Sequence, residues 1–171
     1  MPNWCEGNIR FRGDIDDIVR FFKEGIIAYK YSDEMKNVKC DTEVKVVKSD
    51  YDDYIEEIHI TTDDSRSWFH IDNTHRNFIG DDNTIDIWDV YKNNDGSYIV
   101  ILDEFKAAWS IELEPYVEIS KKYNIDIHIF GWEKGMEFDQ EIEIVKGVPV
   151  KNDVHDGKNW AWETAMPYFG G

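Results

Sequence analysis

Asn8-Ile9-Arg10-Phe11-Arg12-Gly13-Asp14-Ile15-Asp16-Asp17-Ile18-Val19-Arg20-Phe21-Phe22 is the stretch on which the fold turns. Residues 8–12 read as a β-like run. At Asp14 the period changes. Asp14 can cap a helix, Asp16 and Asp17 sit in its first turn, and Ile15, Ile18, Val19 and Phe22 fall at i, i+3, i+4 and i+7. Gly25 is a stop signal. A strand followed by a capped amphipathic helix is the opening of a layered α+β domain. Met1-Pro2-Asn3-Trp4-Cys5 leads straight into the strand, so these residues belong to the fold and not to a tail.

Downstream the chain is mostly strand-like. Val38, Cys40, Thr42, Val44 and Val46 alternate with polar residues, which predicts one strand with a wet face and a buried face. Residues 56–61 read as another strand and 67–71 as a short one, while 72–83 read as a loop or a short helix. Residues 84–91 and 97–102 flank Asn93-Asn94-Asp95-Gly96, a strong hairpin signal. A second helix is expected over about 112–123, with Ser110 as candidate cap and Pro115 in the first turn. Residues 126–132 and 136–144 read as a hairpin through Glu133-Lys134-Gly135. From about 148 the chain reads as an irregular tail, and the whole of 1–171 as one compact α+β domain.

Composition narrows the partners. The chain has 171 residues, 36 acidic against 19 basic, for a net charge of −17. Its hydrophobic content of 42% and aromatic content of 15% place that charge on a folded surface, not on a disordered chain. Such a charge repels naked nucleic acid and anionic lipid and favours a basic protein partner. No apolar run is long enough to span a membrane, and the N-terminal residues lack the basic start and apolar stretch of a secretory signal, so none is expected. Cys5 and Cys40 are the only cysteines, which fits a reducing cytoplasm and core packing.

Three places in the chain resemble one family. Met1-Pro2-Asn3-Trp4-Cys5-Glu6 resembles the start of the YubB-like proteins of phages, plasmids and other mobile elements. Phe105-Lys106-Ala107-Ala108-Trp109-Ser110 is similar to that family's TAWSPP block, with Ile111-Glu112 in place of Pro-Pro. Gly131-Trp132-Glu133-Lys134-Gly135-Met136-Glu137-Phe138 is similar to its Y-x-E-x-G-x-x-F hairpin. The resemblance implies a ferredoxin-like core, an antiparallel-rich sheet with two main helices packed on one face, and a mobile-element origin. It implies no activity. The matched residues then read as fold determinants: Trp109 and Trp132 in packing, Gly135 in a turn that needs positive φ.

Candidate sites are mostly acidic. Side chains at i and i+2 on a strand lie roughly 6.6 Å apart, close to the spacing of neighbouring phosphates on a nucleic-acid strand. Glu137, Asp139, Glu141 and Glu143 form such a row, with Met136, Phe138, Ile142 and Ile144 on the other face and Gln140 as the exception. Asp50, Asp52, Asp53, Glu56 and Glu57 form a second cluster, and Asp81, Asp82, Asp86 and Asp89 a third. Carboxylate rows can fill a groove built for DNA or RNA. The leading expectation is therefore a non-enzymatic accessory protein of a phage or mobile element. It would bind a basic host protein, as a nucleic-acid mimic against a restriction or CRISPR effector in its sharpest form. The rivals are a structural phage protein without a defence target and a metal-dependent hydrolase. The hydrolase would use Glu43 and Lys45, with Asp33 or Asp41 as a further acid.

Other motifs read as structural. The histidines are scattered and no Cys-x-x-Cys step exists, so no zinc and no other cofactor is expected. His70, His75 and Asp72 read as a hydrogen-bonded group. The Asp/Asn-rich segments at 81–83 and 93–96 read as turns, because neither fits a calcium loop. Trp160 and Trp162 read as tucked onto the core. Gly170-Gly171 resembles the tail of ubiquitin-like sulfur carriers on two glycines alone.

Overall fold

The computed structural model describes residues 3–32, 37–51, 54–64, 67–74, 76–80 and 82–161. Met1, Pro2, Asp33, Asp52, Asp53, His75, Asp81, Trp162, Gly170 and Gly171, named above, lie outside them. Among the described residues the protein is a mixed, mostly antiparallel assembly of two helices and three sheets.

The opening stretch forms as its pattern dictates. Strand β1 (Trp4–Gly13) runs into helix α1 (Ile15–Gly25), and the Asp14 carboxylate accepts from the Asp16 N–H at 2.9 Å. The face of α1 carrying Ile18, Phe21 and Phe22 is buried against β1, where the Phe11 ring lies 4.9 Å from Phe21 and 5.6 Å from Phe22. The chain then leaves the first sheet. Strands β2 (Ile26–Tyr31), β3 (Asn37–Cys40) and β6 (Ser67–Ile71) make one three-stranded sheet. Strands β4 (Thr42–Lys48), β5 (Ile55–Thr62) and β8 (Thr84–Ile87) make another. Two expected strands are therefore each two. The run 38–46 breaks at Asp41 between β3 and β4, and the run 84–91 breaks at Trp88-Asp89 between β8 and β9 (Val90–Lys92). Alternation survives the first break, so periodicity alone does not show it, whereas at the second it slips by one residue between Ile87 and Val90. Among its described residues the segment 72–83 holds the two-residue strand β7 (Asn77–Phe78), a bridge from Gly80 to Phe69, and turns.

Strand β9 returns as β10 (Tyr98–Ala108) through the expected turn, with Gly96 at φ 88°. Helix α2 (Leu113–Tyr123) and strand β11 (Asp126–Glu133) follow. The helix starts from Glu112 with no side-chain cap, so Ser110 is not the cap, and it ends on Asn124 in the left-handed conformation. Strand β1 lies between β10 and β11, antiparallel to both, so β10-α2-β11 is a crossover with β1 slotted into it. Strand β12 (Phe138–Val145) pairs β11, and β13 (Val148–Asp156) pairs β12 at the sheet edge. The expected irregular tail is thus largely a nine-residue strand. Lys146 and Gly147, at φ 49° and 78°, make the two-residue reversal that the sequence reading passed over. In the preceding hairpin the positive φ falls on Glu137, at 55°, and not on Gly135.

A ferredoxin-like core has four strands with a strand returning beside β10 after α1. Here β2 joins β3 and β6 instead, and the thirteen strands among the described residues form three sheets. One hydrophobic cluster nevertheless takes residues from all of them, among them Ile9, Phe11, Phe69, Ile58, Ile60 and Ile142. No helix among the described residues is long and apolar enough to cross a membrane.

The edge of the β2–β6 sheet carries an aromatic group. The His70 ring packs 4.8 Å from Phe78 and 5.6 Å from Tyr29, and Trp4 meets Phe78 edge-on at 5.1 Å. Burial pulls the His70 pKa down to about 4, against a backbone contact to Asn77 that favours the charged ring. The unfolded ring takes up a proton near its ordinary value of about 6.5 while the folded ring stays neutral. The contribution is therefore whole above pH 6.5 and lost as pH falls from there towards 4. Urea melts should show a loss of roughly 3 kcal/mol across that window that His70→Gln removes. Equal slopes in the two proteins would refute the assignment.

Candidate functional site: an acidic cleft

The row Glu137, Asp139, Glu141, Glu143 is not a ladder of open carboxylates. Glu137 stands exposed in the turn before β12. Asp139 is 0% exposed and accepts from His155 Nδ1 at 2.6 Å and from the Ala161 N–H at 2.9 Å. Glu141 accepts from Lys151 Nζ at 2.6 Å and His128 Nε2 at 2.9 Å. Burial pushes the Glu141 carboxyl up, but these two bonds outweigh it and hold the pKa below the ordinary glutamate value. Glu143 stands opposite His128 and Lys151 and shares a hollow of about 210 Å³ with Arg10 and Arg12. The physical reason is position: β12 lies between β11 and β13, and cross-strand neighbours supply the compensating cations. Gln140, the exception on the other face, also has a structural role. Its amide accepts from the Ile111 N–H and donates to the Ile111 carbonyl, both at 3.0 Å, tying the lead into α2 to the sheet.

Glu43 and Lys45 are exposed on β4, opposite Thr61 and His59 of β5. Among the described residues no three His, Cys, Asp or Glu side chains converge in a way that could hold a metal ion. His59 is engaged at both ring nitrogens, by Asp86 at 2.6 Å and Glu57 at 2.9 Å, so it offers no open base. Cys5 is fully buried, and burial reinforced by Glu133 and Asp139 pushes its thiol pKa up to about 12, which makes it inert as a nucleophile. Of the second acidic cluster, Asp50 and Glu56 are exposed, and Glu57 is half-buried against His59. Trp132 is half-buried, whereas Trp109 and Trp160 are exposed, the latter at variance with the expected tucking.

The third cluster does converge. Asp82, Asp86 and Asp89 line a cleft of about 430 Å³ between the β8–β9 corner and β10, together with Asp103 and Glu104. Among the described residues no Lys or Arg lines it. Two local features build it. At the corner, Trp88 is left 65% exposed at the cleft, and its ring meets His59 edge-on at 6.3 Å. On β10 a bulge places Asp103 and Glu104 together opposite the single residue Asn8, and both side chains are exposed. The adjacent acids Asp103-Glu104, interrupting an otherwise β-rich run, were the sequence signal for this wall.

The cleft is mainly negative, offset where His59 bonds Asp86 at 2.6 Å and where the charge of Arg10 acts on Asp103. Asp103 is pushed above the ordinary aspartate value, first by partial burial and then by the charge of Asp89. Asp89 accepts from the Tyr91 hydroxyl at 2.5 Å. Carboxylates gathered around an accessible indole suit a guanidinium or ammonium group, which can pair with the acids and lie against the ring. No family model, no curated protein and no solved structure matches the chain.

Proposed function

We propose that the protein is a non-enzymatic binding protein whose cleft at Asp82, Asp86, Asp89, Asp103 and Glu104 receives a lysine- or arginine-rich segment of a basic partner. One observation carries this: five carboxylates and the exposed Trp88 line a single cleft, and among the described residues no Lys or Arg lines it. The net charge of −17 acts in the same direction at long range, steering a basic partner to the surface.

The wider setting is part of the same reading. The crossover β10-α2-β11 around β1 supports a ferredoxin-like reading of that part of the sheet, and the segment 105–110 that resembles YubB-like proteins lies within it. That agrees with an accessory protein of a phage or mobile element, working in the cytoplasm of its host on a basic host protein. Nucleic-acid mimicry against a defence effector is the sharper version. It rests on Asp82, Asp86 and the exposed Asp50 and Glu56, because the β12 row is largely compensated by its own sheet.

The test is titration with an arginine-rich peptide, read by tryptophan fluorescence and calorimetry, in the wild type, Trp88→Phe and the triple variant Asp82→Lys, Asp103→Lys, Glu104→Lys. Binding should weaken at least about tenfold between about 50 and 300 mM salt. The triple variant should bind at least about a hundredfold more weakly, and Trp88→Phe should lose most of the fluorescence change. Undiminished binding by the triple variant would rule out the cleft as the docking site.

A further inference from the structure

We propose that two copies of this chain join edge to edge through β13, antiparallel and centred on Asn152. The sheet around β1 would then continue across the two-fold axis into the second copy.

Strand β13 closes one end of that sheet, and among the described residues no strand pairs its outer side. An edge of nine residues presents unpaired N–H and C=O groups to any matching strand. Its apolar content is displayed outward: Val150 is 56% exposed and Val154 61%. Exposed valines on an open edge are what monomeric proteins usually avoid.

The strand is complementary to itself in one register. With Asn152 opposite Asn152 of the second copy, Lys151 faces Asp153 and Val150 faces Val154, each pair occurring twice. Opposite charges and apolar pairs directly across two strands stabilise that register, and like charges across them oppose it. A shift by one residue either way lines Lys151 up with Asn152 or with Val154 and loses the ion pairs. Lys151 and Asp153 already lie 3.9 Å apart on one strand, so the second copy's charges complete a four-membered alternating group. Pro149, which cannot donate to a ladder, falls outside the central five residues. A homodimer contact of this kind is isologous and closes on itself, so it ends at two copies.

Salt gives this contact an opposite sign to the cleft. Two chains of charge −17 repel, and salt screens that repulsion, so the dimer tightens where a basic partner would loosen.

Sedimentation equilibrium from about 10 μM to about 1 mM tests the proposal, with a dissociation constant on the order of 100 μM expected for so small a contact. Raising salt from about 20 to about 300 mM should increase the dimer fraction. Asp153→Lys sets lysine against Lys151, and Val154→Lys places a charge in the apolar pair. Each should weaken association at least about tenfold while leaving the exposed-site monomer as stable as the wild type. Mixing Asp153→Lys with Lys151→Glu should yield a heterodimer that neither forms alone. Should Lys151→Glu fail to fold because Glu141 loses its cation, the two single lysine variants decide. A monomeric mass over the whole range, or association unchanged in both lysine variants, would overturn the proposal.

Discussion

Gly7→Ala should leave the chain without a cooperative unfolding transition. Gly7 sits on β1 directly opposite Gly131 of β11. A Cβ built there would lie 1.9 Å from the Phe130 carbonyl oxygen and 2.9 Å from the Gly131 Cα. Both are backbone atoms of an adjacent strand, so relief requires the strands to part, and β1 is bonded on both sides. The expected cost is at least about 4 kcal/mol, a large share of the stability of a domain this size. Gly96→Ala is the informative control. Its φ of 88° strains a side chain, but nothing lies within 4 Å, so only about 1 kcal/mol should be lost. Guanidinium unfolding followed by far-UV circular dichroism reads both. A Gly7→Ala protein within about 1 kcal/mol of the wild type would mean that β1 and β11 do not pair in this register.

Asp139→Ala should cost about 3 kcal/mol, whereas Glu137→Ala, two residues away in the same row, should cost less than about 0.5. Asp139 is fully buried, and its removal strands His155 and the Ala161 N–H. Glu137 is exposed in a turn. Asp139→Asn keeps the shape and loses the charge, so it should fall between them. Chemical denaturation of the three variants is sufficient. Equal losses at 137 and 139 would mean that Asp139 faces water and that the row is an open acidic surface after all.

The contrast between those two residues marks where the sequence could be read and where it could not. Asp14, Ile18 and Phe22 announced α1, because cap and period are local properties. The hairpins around 93–96 and 134–137 were legible for the same reason. The fate of Glu141 was not, because Lys151 and His128 reach it from other strands. The two-residue reversal at Lys146-Gly147 was available as a signal, and it would have turned 148–156 into a strand and set Lys151 beside the row. The cleft was half legible. Asp82, Asp86 and Asp89 were singled out as acids, but Asp103 and Glu104 join them only through a bulge and a corner, which depend on pairing far along the chain.

The position of β1 has a consequence for how the chain is made. Trp4 finds its partner only at Ala108, and Glu6 meets Trp132 on its other side. During synthesis α1 can cover Phe11 early, but the backbone of the first strand waits unpaired until β10 and β11 have emerged. Contacts so distant in sequence slow acquisition of the native state and prolong exposure of sticky segments. Yield in a cell should consequently depend on chaperone supply and translation speed more than the stability of the finished molecule would suggest.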